Sequence, residues 1–160
     1  MRSIILAAAI AVSSSALAQD AGKQLVGLWK FESNYSELKN GEKRKPMGEK
    51  PRGYVYFSPG GRVLTVLTAQ ERPKPKTEAE RAAGLLSVYA VSGTYKVTGK
   101  NTYTAKLDAA ANENLVTGTD INREFKIEGG KLTIVTAWAP STTIEGSPEA
   151  RGVSVLSRAK

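Results

Sequence analysis

The sequence predicts an all-β chain folded as one eight-stranded antiparallel up-and-down barrel, with one short helix between its third and fourth strands. Three observations predict it. Apolar and polar residues alternate along most of the chain, the pattern of strands with one buried face. Tight glycine-bearing turns and long connectors take turns between those strands. The 160 residues contain no cysteine, so the fold must rest on packing, for which one domain of this size suffices.

The N-terminus decides which residues belong to the fold. Arg2 supplies a positive charge, Ile4 to Val12 is an uninterrupted apolar run, and Ala16-Leu17-Ala18 has the small-x-small form that signal peptidase accepts. The run is shorter than the roughly 20 residues a spanning helix needs. Residues 1–18 are therefore expected to be a signal peptide cleaved after Ala18, leaving residues 19–160 as a single domain sent to the periplasm or secreted. No cysteine follows the cleavage site, which excludes a lipoprotein anchor.

The strands then follow in order. Trp29, Phe31, Ser33 and Tyr35 alternate with Lys30, Glu32 and Asn34. Gly53 to Ser58 forms a short aromatic strand and Arg62 to Thr68 a β-branched one. Tyr89, Val91, Gly93, Tyr95 and Val97 share a face, as do Tyr103, Ala105 and Leu107, and then Ile121, Arg123, Phe125 and Ile127. Leu132, Ile134, Thr136 and Trp138 make the seventh set, and Gly152 to Arg158 the eighth.

The connectors give the topology. Ser58-Pro59-Gly60-Gly61, Gly99-Lys100-Asn101 and Glu128-Gly129-Gly130 are short hairpin signals. The links Ser36 to Arg52, Ala69 to Leu86, Ala110 to Gly118 and Ala139 to Ala150 are long. In an up-and-down barrel, strict alternation puts every tight turn at one end and every long loop at the other. Closure also removes the sheet edges that invite aggregation. Thr77-Glu78-Ala79-Glu80 is a capping box, and Arg81 to Leu86 extends it by about two turns. This helix belongs at the open end, either as a lid or as cover for the wall.

Composition limits the chemistry. With neither histidine nor cysteine, Ser-His-Asp and Cys-His nucleophile systems are excluded, as are the usual zinc and copper sites. No glycine-rich loop opens a helix after a strand, so nucleotide binding has no support. No cofactor is expected. Tyrosine, lysine and carboxylates remain for acid–base work, which leaves a cofactor-free isomerase or cyclase as an alternative to a binding protein. A third alternative is an interaction or inhibitor module that uses the long loops. The net charge of +8 falls to +7 when residues 1–18 take Arg2 with them, and it would draw an exported chain to anionic small molecules or anionic membrane surfaces, though excess lysine also serves solubility alone. Nucleic acid is not expected as a partner.

Strand directions bring Tyr35, Tyr54, Tyr89 and Trp138 toward the open rim as an apolar wall with polar tips. The second strand leaves open whether Tyr54 or Val55 faces inward. Arg123 lies on an apolar face and must be matched, either by Asp120, Asp108 or Glu124 or by the carboxylate or phosphate of a ligand. The expected function is binding of an amphipathic or weakly acidic small molecule in a cavity of several hundred Å3, as such sites generally have.

Leu25-Val26-Gly27-Leu28-Trp29-Lys30 resembles the Gly-x-Trp first strand of lipocalin-type barrels. Pro51 to Tyr56 with Ser58-Pro59-Gly60-Gly61, Tyr89 to Tyr95, and Arg123-Glu124-Phe125 before Gly129-Gly130-Lys131-Leu132 resemble, in order, the bacterial and fungal lipocalin-like domain family. The resemblance runs from about Leu25 to Arg158. It implies a lipocalin-like barrel with a ligand cavity, and a structural pair at the closed end in which Arg158 stacks on Trp29. The disulfide of that type of barrel is missing here.

Overall fold

Period-two alternation becomes one closed sheet. The computed structural model describes residues 20–111, 115, 117–142 and 144–160; the expected signal peptide lies outside the described residues. The elements are β1 (Gly27–Leu38), β2 (Lys43–Arg44), β3 (Arg52–Phe57), β4 (Arg62–Thr68), α1 (Glu78–Leu86), β5 (Val88–Gly99), β6 (Thr102–Ala110), β7 (Asp120–Glu128), β8 (Lys131–Thr136), β9 (Ala139–Pro140) and β10 (Glu149–Arg158). Eight of the strands pair antiparallel with their neighbours in the order β1-β3-β4-β5-β6-β7-β8-β10, and β10 returns to β1 to close the barrel. The two-residue strands β2 and β9 only extend the sheet beside β1 and β10.

Short links lie at one end. Gly129 and Gly130 both take positive φ (56° and 75°) between the paired residues Glu128 and Lys131, the backbone a two-residue hairpin with the right twist demands. The β3–β4 turn is held by the Ser58 hydroxyl, which accepts from the Arg62 N–H. The long links, from β1 to β3, β4 to β5, β6 to β7 and β8 to β10, all leave their strands at the opposite end, as the alternation predicts.

The closed end is filled with side chains. Leu25, Trp29, Phe57, Leu107, Leu132 and Leu156 are fully buried. Residues 20–25 are helical and cap this end; the Leu25 carbonyl accepts from Trp29 Nε1 at 2.8 Å. Phe57 meets Tyr95 and Tyr103 edge to face at 5.1 and 5.4 Å, a geometry that adds about 1 kcal/mol per pair beyond burial. Arg158 pairs in register with Trp29, and its guanidinium lies 4.2 Å from the indole centroid. It also donates to the Val26 and Gln24 carbonyls. Gly27 makes this possible, because a Cβ there would lie 2.3 Å from Arg158 Nη1.

One irregularity departs from the sequence pattern. In the β1–β10 ladder Phe31 faces Leu156 but Ser33 faces Val155. The extra residue is a β-bulge, and it exchanges the two faces of β1 beyond it. Asn34, not Ser33 or Tyr35, then points to the barrel interior.

α1 forms as the capping box predicts: Thr77 Oγ1 accepts from the Glu80 N–H while the Glu80 carboxylate reaches back to the Thr77 N–H. None of its residues is buried, so the helix stands off the wall.

Candidate functional site

Above the aromatic layer the barrel stays hollow. The cavity has a volume of about 170 Å3. Its wall is mostly apolar, with Phe31, Val55, Val63, Leu67, Val91, Ile121 and Ile134 contributed by successive strands. Met47 closes over it from the 39–51 loop and is itself buried. That loop is fixed by the Gln70 N–H donating to the Met47 carbonyl and by Gln70 Oε1 accepting from the Lys50 N–H.

A few polar groups converge on the hollow. Asn34 donates to Ser154 Oγ at 3.0 Å, so these two cavity-lining residues satisfy each other. Thr136 Oγ1 accepts from the Gly152 N–H. Tyr103 and Arg123 are register partners on β6 and β7, with Thr136 beyond Arg123 on β8. Tyr89 joins them as a further lining residue.

Among the described residues Arg123 is the one cation of this lining. Of the carboxylates that could have matched it, Asp108 is held by Arg62 and Ser92, and neither Asp120 nor Glu124 forms an ion pair with it. Among the described residues its contact is a single hydrogen bond from Nη1 to the Asn122 carbonyl, at 2.8 Å. A half-buried guanidinium so held retains donors for an anion. Burial pushes the Tyr103 hydroxyl far above the usual tyrosine value, and the nearby Arg123 charge offsets only part of that. Tyr103 is therefore a neutral hydrogen-bond donor at any ordinary pH.

Of the five residues expected to bind the ligand, four aromatics as walls and Arg123 as anchor, the structure brings together two, Tyr89 and Arg123. The other three stand elsewhere. The bulge turns Tyr35 to the outer face, where Lys43 Nζ sits 4.9 Å from its ring. On β3, Val55 and Phe57 are the buried residues and Tyr54 is exposed. β8 ends at Thr136, so Trp138 leaves the inward series; Lys39 and Arg151 flank its ring at 4.3 and 4.9 Å. The volume is also smaller than the several hundred Å3 expected, because Met47 and the ring of Tyr103 occupy the two ends of the hollow. Sequence reasoning missed both. Tyr103 was legible from its place opposite Arg123 in the alternating sets, whereas Met47 sits in a charged loop that carries no periodic signal.

A wider groove of about 840 Å3 runs between residues 71–76 and α1. It is open, and no inward-facing strand residue contributes to it. The barrel hollow is the more apolar site, walled by inward-facing residues of the strands.

A family model described as a lipocalin-like domain matches residues 26–159, which is the whole closed barrel. Among curated proteins none matches the chain.

Proposed function

The chain belongs to the lipocalin-like domain family, and from that premise we propose that it is an exported binding protein for a small acid. The ligand's apolar body enters the barrel, and its anionic head meets Arg123. The carrying observation is the unmatched guanidinium at an apolar hollow of about 170 Å3. That volume is close to the roughly 150 Å3 of an engineered cavity that takes benzene. It suits a single ring or a short acyl chain bearing a carboxylate, with Tyr89 and Tyr103 hydroxyls as further donors. The sequence features that favour export are the apolar run from Ile4 to Val12 and the Ala16-Leu17-Ala18 site; N-terminal sequencing of the protein from its host tests it, and an intact Met1 would refute it.

Benzoate is the direct probe. Its titration should shift backbone amide resonances of Tyr89, Tyr103, Ile121 and Thr136. Arg123→Gln should weaken benzoate about tenfold, the value of one hydrogen bond to a charged group, and leave benzamide unchanged. Equal loss for both probes, or shifts confined to the loops, would defeat the proposal.

The isomerase alternative has Tyr103 in its favour, a deep neutral donor suited to a developing oxyanion. It lacks a base, since no carboxylate or lysine lines the hollow among the described residues. A module that worked through its loops alone would need no hollow, and a filled barrel would serve it as well as one with a space of about 170 Å3.

A further inference from the structure

We propose that the outer wall formed by β1, β3 and β4 docks on an anionic lipid bilayer surface. Outward positions of a barrel are ordinarily polar, and β7 follows the rule with Asp120, Asn122, Glu124, Lys126 and Glu128 all exposed. The opposite wall does not. Leu28, Tyr56 and Leu64 lie side by side across β1, β3 and β4, and Tyr54 and Val66 form the next row. These five are between 39% and 50% exposed. Cross-strand neighbours of this kind make one continuous apolar patch, not scattered exposures.

The charges around the patch select its partner. Lys30 is the register neighbour of Tyr54, and Arg52 precedes it on the same face of β3. Lys96 and Lys106 stand exposed on the adjoining β5 and β6. None of these four cations forms an ion pair among the described residues. The wall's own carboxylates are already matched, Glu32 by Lys131 and Asp108 by Arg62; Glu71, in the loop beside Arg52, and Asp120, the register neighbour of Lys106, are further acids near this edge. An apolar centre with two tyrosines, ringed by positive charge, complements anionic head groups over acyl chains. Tyrosine rings suit that boundary because one end is apolar and the other wet. A second copy of the chain is disfavoured, since a two-fold interface on this patch would bring two identical cationic rims together.

The absence of cysteine makes the test direct. The full chain carrying Leu64→Cys, labelled with an environment-sensitive fluorophore, is mixed with vesicles of phosphatidylcholine alone or with an equal part of phosphatidylglycerol. The emission should shift to the blue only with the anionic vesicles and return as salt is raised. The same label at Lys126→Cys, on the far wall, should not respond. Lys30→Glu with Arg52→Glu should weaken the response roughly tenfold or more. Arg123→Gln should leave it intact, which separates this surface from the ligand site. Equal shifts at both labels, no shift at either, or a shift at Leu64→Cys that grows with protein concentration without vesicles would each overturn the proposal, the last in favour of a second copy.

Discussion

Gly27 and Arg158 show how one missing side chain can organise the end of a barrel. The φ of Gly27 is +131°, a region side chains rarely adopt, and the space its Cβ would take is filled by the guanidinium that covers Trp29. Gly27→Ala should therefore destabilise the fold by about 1–3 kcal/mol, read as a lower urea midpoint with an unchanged slope. Tyr103 makes a second residue-level prediction. Its folded-state ionisation lies above the ordinary value of 10.0 because of burial, so the neutral form is favoured by the fold. That stability is fully present below about pH 10 and is lost as pH rises through the elevated folded value. Alkaline ultraviolet titration should show one tyrosine ionising only with unfolding, and Tyr103→Phe should remove that late step. At this scale Arg123 was legible, since a cation in an apolar alternating set must find a partner. Its lack of a carboxylate was not, because which acids reach it depends on register.

Elements explain the remaining misplacements. The set Trp29, Phe31, Ser33, Tyr35 keeps its period in sequence, but a bulge adds a residue without changing composition, so nothing in the letters marks the exchange of faces after Phe31. In β3 the Tyr54/Tyr56 and Val55/Phe57 faces are both apolar, and alternation alone has no means to choose between them. β8 ends two residues before Trp138 because Thr136 turns its hydroxyl to the Ala137 carbonyl and the Gly152 N–H. The 39–51 loop is densely charged, with Lys39, Lys43, Arg44, Lys45 and Lys50 along it, yet it lowers one buried methionine onto the hollow. Met47→Ala should cost about 2 kcal/mol, at the low end for a buried Met-to-Ala change. It should also raise affinity for acids one or two methylenes longer, measured by calorimetry against a chain-length series.

For the whole molecule, the alternation of short and long links was readable because hairpin chemistry is local, and it sufficed to sort the two ends of the barrel. Closure was not local. The β1–β10 ladder joins residues more than a hundred positions apart, from Trp29 with Arg158 to Leu38 with Ala150. Such pairing must meet a large loop-closure entropy before it is rewarded, which places folding in the slow range typical of barrels.

The same seam leaves the two termini of the domain beside each other: the Ala159 N–H donates to the Leu28 carbonyl, and Arg158 reaches Gln24. The order of strands in the gene is thus arbitrary with respect to the finished cylinder. A circular permutant that joins Lys160 to Asp20 through a short glycine–serine linker and begins at Pro75 should yield the same amide spectrum away from the cut. A permutant that collapses would show that the native starting point, and not the seam, directs assembly.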